Sequence, residues 1–377
     1  MMHVDWKHLA LALAILPFAV IFAAWIGFFN VGASSGHWKV TDWFLHFAMR
    51  SAVRTYALAV EVPSELPNYA VQTAAGHFPR GCAICHGAPG EPRSPAVLRM
   101  LPQPPDLAER VNSWSDAELF RIVKHGVRFT GMPAWPSQKR DDEVWAMVAF
   151  LRRLPALGAE AYRDLAYGPV GSLVDRPATF EQAVADCTRC HGADGRGRST
   201  ATPVIAGQKE SYLLQSLAAY AADRRPSGVM GVVAKAVGRR YWQDLAAHFA
   251  ALPPPQGRAG AATVLIEAGK KLATEGNPSR RIPACLVCHA SRDRNPAFPS
   301  LIGQPGPYVE QQLRLFRDGQ RGDSGYGRVM REVARPLSDN DIAALAAYFA
   351  TADLRPTRPI ASARDDEVYR SRGAGDR

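Results

Sequence analysis

The pentapeptide Cys-X-X-Cys-His occurs three times in this chain of 377 residues, at 82–86, 187–191 and 285–289, and it limits the fold more than any other feature. The three copies use all six cysteines, which leaves no thiol for a disulfide framework. This pentapeptide is the attachment sequence of a c-type haem, in which both thiols form thioethers and the adjacent histidine binds the iron. The sequence therefore predicts three covalent haems, held by Cys82, Cys85 and His86, by Cys187, Cys190 and His191, and by Cys285, Cys288 and His289.

Zinc sites and redox-active disulfides also contain Cys-X-X-Cys, so both are alternatives. A structural zinc ion needs four protein ligands, whereas each cysteine pair here has only its own histidine close by in the sequence. A redox-active disulfide gives no reason for a histidine to follow the motif in all three copies. The pattern therefore favours haem over both alternatives.

The composition suits a globular protein with buried cores, because 47% of the residues are hydrophobic. The formal net charge is +10, but each haem adds two propionates that arginine and lysine side chains neutralise. A moderately basic surface favours acidic protein partners or anionic lipid. No nucleic-acid recognition motif accompanies the charge, so a nucleic-acid partner is not expected.

An apolar segment near the N-terminus, residues 9–29, carries no charge over 21 positions. It has the length of a membrane-spanning helix and exceeds the apolar region of a cleaved signal peptide, which has about 7–15 residues. Trp25, Trp38 and Trp43 suit an aromatic belt at a membrane surface. The segment is interpreted as an anchor, and a signal cleaved after Val31-Gly32-Ala33 is the alternative.

Basic residues flank this segment on both sides and do not decide its orientation. The site of haem attachment decides the orientation, because bacteria attach c-type haems on the outer side of the inner membrane. We therefore expect a single-pass protein of the bacterial inner membrane, with its haem domains on the periplasmic side.

Residues 41–59 contain neither glycine nor proline and mix aromatic with basic side chains, which predicts an amphipathic helix. Such a helix lies in the plane of the lipid headgroups or docks on an integral membrane partner, and the sequence leaves both open. His46 is interpreted as a residue of its polar face rather than a haem ligand.

The three motifs begin 105 and 98 residues apart, a period typical of tandem modules. The sequence Val-Ile-Ala-Gly-Gln at 204–208 parallels Ser-Leu-Ile-Gly-Gln at 300–304, and residues 245–250 parallel 345–350. The first repeat closes with a similar apolar segment at 144–151. Each repeat is predicted to contain a helix leading into the motif, a loop rich in proline and glycine, one or two helices and a closing apolar helix.

Two loose stretches mark the boundaries between repeats: residues 158–177, and residues 253–257 with three consecutive prolines that cannot be helical. After residue 354 the composition predicts a disordered tail. The predicted organisation is an anchor over 1–38, an interfacial helix and linker over 39–65, haem domains over 66–157, 172–254 and 260–352, and a tail over 355–377.

Each repeat also contains a methionine suited to bind the iron opposite the motif histidine. Met230 and Met330 follow their histidines by 39 and 41 residues, and each is the only methionine of its repeat. In the first repeat the corresponding residue is Met132, on a loop stiffened by the following proline. Methionine/histidine ligation raises the reduction potential, so we expect three low-spin haems of relatively high potential.

Other residues compete for the iron in the first repeat. Met100 and Met147 are the alternative methionines, although Met147 lies in an apolar helix, where packing is its expected role. His125 is the only serious alternative histidine, because His77 and His248 are interpreted as surface or helix residues.

The motif histidine also needs an acceptor for its other ring nitrogen, commonly a backbone carbonyl that fixes the tautomer. Pro203 and Pro299, 12 and 10 residues after their histidines, are the candidates to stiffen this loop. In the first repeat the loop is longer, and Pro104-Pro105 is the counterpart.

Residues 172–352 resemble cytochrome c4, a two-domain dihaem member of the class I cytochromes c. The resemblance rests on the paired haem motifs, the Ala-Gly-Gln and Ile-Gly-Gln loops, Met230, Met330 and the closing helices. Residues 66–155 resemble a monohaem class I domain of the kind fused to respiratory enzymes. The resemblance implies an all-α fold of three tandem class I cytochrome c domains after an N-terminal transmembrane helix. It also implies haem c and electron transfer between a quinol-oxidising or dehydrogenase complex and a terminal oxidase.

Three functions follow as hypotheses. The first is a membrane-anchored trihaem cytochrome of a respiratory chain that serves a haem-copper terminal oxidase as a subunit or donor. The alternative is the cytochrome subunit of a periplasmic alcohol, aldehyde or sugar dehydrogenase. A haem peroxidase is disfavoured, because it needs an iron without a strong sixth ligand. No residue is expected to be catalytic, and the chain is interpreted as an electron-transfer protein or subunit, not an enzyme by itself.

Overall fold

The structure is a computed structural model that describes residues 5–255, 257, 263–290 and 295–352. Within these residues the secondary structure is helical, and β-type pairing is limited to two isolated bridges, Ala88–Glu91 and Asn277–Ile282. The predicted all-α class is therefore confirmed. The tail predicted over 355–377 lies outside the described residues.

The helix α1, Trp6–Trp25, buries none of its residues against the rest of the chain. It is long and apolar enough to cross a membrane, by length and composition. The helix begins three residues before the span predicted over 9–29. It also ends earlier than that span, because Gly27 adopts a left-handed φ of 73° just after the end of the helix.

The amphipathic helix predicted over 41–59 is present as α2, Lys39–Ala57. Its C-terminal half packs against the first repeat, where the Arg50 guanidinium lies 4.7 Å from the centre of the Trp114 ring. Its N-terminal half is exposed and carries Trp43 and Phe47, whose rings stack 5.6 Å apart. The helix α2 therefore attaches to the first repeat at one end and presents aromatic side chains at the other.

The first repeat surrounds a core in which Phe78 meets Phe150 and Tyr162, with ring centroids 5.1 and 6.2 Å apart. Tyr162 shows that the loose boundary predicted over 158–177 is wrong in its first half. That half forms a helix whose residues 162, 165 and 166 pack on this core at helical spacing. The helices of this repeat are α3, Val71–Phe78; α4, Ile84–His86; α5, Leu107–Arg110; α6, Asp116–His125; α7, Asp141–Arg153; and α8, Ala159–Tyr167.

The second and third repeats differ in how they enter the haem motif. In the second, the helix α9, Phe180–His191, runs directly through the motif. In the third, the helix predicted to lead into the motif stops at Glu275, because Gly276 has a φ of 72° and two prolines follow. The motif therefore lies on a short separate helix. The second repeat contains α9, Phe180–His191; α10, Glu210–Ala221; α11, Met230–Val237; and α12, Trp242–Ala251. The third contains α13, Thr263–Glu275; α14, Leu286–His289; α15, Gly306–Arg317; α16, Gly327–Ala334; and α17, Asp339–Thr351. The predicted closing helices are confirmed as α7, α12 and α17.

A reciprocal pair of glutamines joins the second and third repeats. Gln208 donates to the Ser300 carbonyl at 2.7 Å and accepts from the Ser300 amide at 3.0 Å. Gln304 makes the same two bonds to Val204, at 2.7 and 3.1 Å. Because Val204 and Ser300 occupy equivalent positions, the two repeats meet through an approximately two-fold symmetric interface. The Ala-Gly-Gln and Ile-Gly-Gln loops provide these glutamines.

Candidate haem sites

The histidine of each motif makes the same hydrogen bond in all three repeats. Its Nδ1 atom faces the carbonyl oxygen of a proline on the loop that follows. The sequence predicts a backbone carbonyl as the acceptor, but it assigns these prolines only the role of stiffening the loop. A carbonyl only accepts, so Nδ1 donates the proton and Nε2 keeps the free lone pair that binds a metal. The distances are 2.8 Å for His86–Pro105, 3.0 Å for His191–Pro203 and 2.8 Å for His289–Pro299.

Burial keeps these three rings in the neutral form that ligates iron. Desolvation lowers the pKa of His86, His191 and His289, and the bond to the proline carbonyl opposes this effect in each case. A neutral imidazole at physiological pH follows from the direction of these shifts.

The six motif cysteines form no disulfide with one another; five of them are partly buried, and Cys288 is exposed. Desolvation raises the pKa of Cys82 and Cys187 to about 12 and that of Cys285 to about 11. Zinc requires thiolates, which these surroundings disfavour. In the described part of the chain no group of three or more His, Cys, Asp or Glu side chains is arranged to hold a metal ion. The donor set therefore does not fit the zinc alternative.

A single apolar cavity of about 680 Å³ connects the motifs of the second and third repeats. His191 and Met230 line it from the second repeat, and His289 and Met330 line it from the third. Met230 is the first residue of α11, and Met330 lies in α16. In both repeats the structure thus brings the motif histidine and the predicted sixth ligand to one cavity.

Two arginines on this cavity, Arg225, which is buried, and Arg321, which is partly buried, provide a test of whether it fits haem. Arg225 donates to the hydroxyls of Tyr212 at 3.3 Å and Tyr308 at 3.1 Å, and its hydrogen bonds within the described residues reach no carboxylate. Arg321 lies with its guanidinium 4.3 Å from the centre of the Phe316 ring, and its buried Nε has no hydrogen-bond partner in the described structure. Burying a cation without an anion costs free energy. Haem propionates are anions of the required kind, so the residues present fit the group.

In the first repeat Met132 is partly buried on the loop after α6. Its amide donates to Thr130 Oγ1 at 3.1 Å, and its carbonyl accepts from Val127 at 3.2 Å. The Cε of Met100 lies close to Gly131 of the same loop. Both Met100 and Met132 are therefore near this loop of the first repeat. Met147 is 1% exposed within the first core and packs there as expected.

The histidines considered as alternatives fall into two groups. His125 and His46 are exposed, and the Nδ1 of His46 lies 2.8 Å from the Asp42 carbonyl of its own helix. His248 packs edge-on against Phe249 on α12. His77 lies on a helix, one of the two positions expected for it, and is only 4% exposed.

His77 lies in α3 with its ring centroid 5.0 Å from that of Trp135. Its Nδ1 is buried without a hydrogen-bond partner in the described structure, and the ring lines the large cavity. Desolvation, aided by the positive charges of Arg80 and Arg189, lowers the pKa of this ring to about 4. Its burial depends on contact with the second repeat, which local sequence does not reveal.

A buried ionic cluster ties the first repeat to the second haem motif. Asp186 accepts from Arg80 at 2.9 Å and from Arg189 at 2.9 Å, and all three side chains are at most 5% exposed. Arg189 is one of the two variable residues of the second motif, and it also donates to the Gly76 carbonyl at 2.9 Å. The attachment segment of the second haem is therefore held partly by the first repeat.

Comparison with known proteins finds similarity to c-type cytochromes. Residues 70–151 match the family described as cytochrome c oxidase, cbb3-type, subunit III. Cytochrome c4 from Azotobacter vinelandii is 35% identical over 183 residues, which cover 45% of this chain and 86% of the relative. The thiosulfate dehydrogenase electron acceptor from Thiomonas intermedia is 34% identical over 204 residues, which cover 52% of this chain and 94% of the relative. A solved structure of Acidithiobacillus ferrooxidans cytochrome c4 is 32% identical, covers 45% of this chain and 99% of that one, and gives a TM-score of 0.41.

These relatives are matched over most of their own length at more than 30% identity. The chain therefore belongs to the c-type cytochromes, as a helical electron-transfer protein that binds haem c.

Proposed function

We propose that this protein is a membrane-anchored trihaem cytochrome that transfers electrons in a respiratory chain on the periplasmic side of the bacterial inner membrane. The observation that carries the proposal is the recurrence of one local geometry at all three motifs. Each motif histidine donates through Nδ1 to a proline carbonyl. Each repeat also supplies a methionine, Met132, Met230 or Met330, for the opposite side of the iron.

Haem iron supplies one-electron oxidation and reduction, and the protein residues restrict it to that chemistry. The histidine and methionine of each repeat would both bind the iron and leave no site for peroxide or dioxygen, which disfavours a peroxidase. Thioether ligation and the apolar cavity favour the less charged Fe(II) state and raise the reduction potential. Arg225 and Arg321, which both line the cavity, would neutralise propionates.

The first candidate partner is a haem-copper terminal oxidase, which this chain would serve as a subunit or donor. The match of the first repeat to a family described as an oxidase subunit supports it. The exposed apolar helix α1 supports membrane attachment close to such a partner.

The second candidate partner is a periplasmic dehydrogenase. Two relatives, from Thiomonas intermedia and Stutzerimonas stutzeri, are named thiosulfate dehydrogenase electron acceptors. These names favour a dehydrogenase for thiosulfate over the alcohols, aldehydes or sugars expected from the sequence. Since the resemblance to dihaem cytochromes rests on the motifs within residues 172–352, such a donor would deliver electrons to the second and third repeats.

Purification of the native complex tests the proposal. Membranes are solubilised in mild detergent, the complex is purified through this chain, and its haem types, haem-to-chain ratio and component masses are measured. Three haems c per chain, with haem a or b and a copper subunit, would support the oxidase. A co-purifying dehydrogenase would support the second candidate. Recovery from the soluble fraction, or fewer than three haems c per chain, would contradict the proposal.

A further inference from the structure

The loop that carries Met230 is held by the first repeat. Glu143 of α7 is buried and accepts hydrogen bonds from Ser227 Oγ at 2.5 Å and from the Gly228 amide at 2.6 Å. On its own side of the interface Glu143 accepts from Trp135 Nε1 at 3.2 Å and pairs with Arg140 at 2.9 Å. One carboxylate thus connects two segments of the first repeat to the loop of the second.

Ser227 transmits this contact to Met230. The amide of Met230 donates to Ser227 Oγ at 2.9 Å, three residues back along the chain. A hydroxyl has one proton to donate and lone pairs that accept. The Gly228 amide, the Trp135 ring and Arg140 all present hydrogen-bond donors to Glu143, which favours its ionised form. An ionised carboxylate only accepts, so the Ser227 hydroxyl donates its hydrogen bond to Glu143 and keeps a lone pair for the Met230 amide. The carboxylate therefore sets the orientation of the hydroxyl that fixes the first residue of α11.

The first repeat closes on the same loop at two further points. Arg140 donates to the Pro226 carbonyl at 3.0 Å. The Trp135 ring lies so close to Gly228 that a Cβ there would stand 2.2 Å from Trp135 Nε1. These contacts leave the loop little room to move away from Glu143.

Among the described residues of the third repeat there is no corresponding arrangement. The residue three before Met330 is Gly327, which has no side chain to accept from the Met330 amide. The first repeat reaches the loop before Met330 through Lys139 and Asp323, an ion pair at 3.2 Å with both side chains about half exposed. Exposed pairs of this kind contribute little to stability. Lys139 therefore provides a control from the same segment.

We propose that Glu143 is a positioning residue through which the first repeat fixes the Met230 loop and so stabilises methionine ligation of the second haem. The inference rests on the proposed function, in which Met230 binds that iron. Thioether sulfur is a weak ligand, so its bond to iron depends on how firmly the protein holds the loop. The first repeat would thereby set the potential of a haem attached to a different repeat.

The test uses the full-length holoprotein with Glu143→Gln, Ser227→Ala, Ser227→Thr, Lys139→Ala and Met230→Ala. The measurements are the ferric sulfur-to-iron charge-transfer band, displacement of methionine by added imidazole, and the reduction potentials of the haems. We expect Glu143→Gln and Ser227→Ala to let imidazole displace one methionine about tenfold more readily, the effect of losing one buried hydrogen bond to a charged group. One haem potential should fall, while Ser227→Thr and Lys139→Ala match the wild type.

Combining Glu143→Gln with Ser227→Ala should add little to either change, because both interrupt one chain of contacts. If the Glu143→Gln variant does not assemble, the Ser227→Ala variant decides whether the positioning role is correct, since Ser227→Ala keeps the Glu143 carboxylate paired with Arg140. If Met230→Ala abolishes one charge-transfer signal but Glu143→Gln and Ser227→Ala leave imidazole binding and potentials unchanged, the positioning role is wrong and the ligand assignment stands. If Met230→Ala itself changes nothing, the ligand assignment fails and the inference fails with it.

Discussion

The backbone of Gly76 lies directly against the Sγ of Cys190, and a Cβ on Gly76 would stand 2.6 Å from that sulfur. Gly76 belongs to the helix that leads into the first haem motif, and Cys190 belongs to the second motif. Hydrogen bonds on both sides reinforce the contact, from Arg189 to the Gly76 carbonyl at 2.9 Å and from Gln72 to the Arg189 carbonyl at 3.1 Å. The attachment segments of two haems therefore pack against each other.

Replacing Gly76 with alanine should destabilise the protein despite the higher helix propensity of alanine. The propensity gain is about 1 kcal/mol. Overpacking against a sulfur that cannot rotate away costs about 1–3 kcal/mol, and the carbonyl of Ala166 closes the other side. We expect a net loss of about 1 kcal/mol in the free energy of unfolding, measured by denaturant titration of the holoprotein.

Gly306→Ala is the matched control for this substitution. Gly306 is also helical, but the nearest atoms to its added Cβ are at ordinary contact distances of 3.5 Å and more. Gly306→Ala should leave stability unchanged or raise it slightly. Equal effects at both positions would contradict the close packing of Gly76 on Cys190.

The buried ring of His77 should make stability depend on pH in a defined window. Its pKa in the folded protein is about 4, lowered from 6.5 by desolvation and by Arg80 and Arg189. Between these values the unfolded chain binds a proton that the folded chain does not, so stability falls as pH drops from 6.5 to 4. The full loss is about 3 kcal/mol.

His77→Phe removes this proton and should flatten the pH dependence in that window, as measured by unfolding at pH 4, 5, 6 and 7. The difference from the wild type isolates the contribution of one ring from that of the carboxylates. His46→Phe serves as a control, because that ring is exposed in the folded protein. An unchanged slope in His77→Phe would show that the ring is not buried.

Local patterns in the sequence predicted the structural features that depend on residues close together in the chain. The three motifs, the closing helices and the proline loops are short-range features, and the bond from His191 to the Pro203 carbonyl spans only 12 positions. The break at Gly276 was missed because it replaces an expected helix with a turn that only the positive φ of that glycine reveals.

The features that the sequence did not predict depend on contacts between segments that are far apart in the chain. His77 is buried by Trp135 and by the second repeat, and Glu143 becomes an interdomain residue only when Ser227 lies against it, 84 positions away. A glutamate at the start of an apolar helix is normally read as a residue that complements the helix dipole. Nothing in its local sequence distinguishes that role from the one that the structure shows.

Removing the charge of Arg225 should lower a haem potential. A buried cation near the propionates favours the reduced haem, which carries one positive charge less than the oxidised one. Loss of that charge at a distance of roughly 10 Å should lower the potential by about 60 mV, or tenfold in the redox equilibrium. Arg225→Gln is compared with Arg239→Gln, an exposed position outside the cavity, by potentiometric titration. Equal potentials in both variants would show that Arg225 does not face a propionate.

Substitution of the three methionines tests the complete ligand set. Met132→Ala, Met230→Ala and Met330→Ala should each convert one haem to the high-spin state and lower its potential, because the iron loses a neutral, soft ligand that favours Fe(II). Ferric absorption spectra and redox titrations of the holoprotein provide the measurement, and each variant should change about a third of the low-spin signal.

Met100→Ala and Met147→Ala are the controls in the first repeat. Met147 is buried in the first core, so its loss should cost about 2–5 kcal/mol of stability and leave the haem spectrum intact. Met100 lies beside Gly131 on the ligand loop, so it is the residue that could replace Met132. A spectral change in Met100→Ala with none in Met132→Ala would transfer the sixth position of the first haem to Met100. It would leave the assignments in the other two repeats standing.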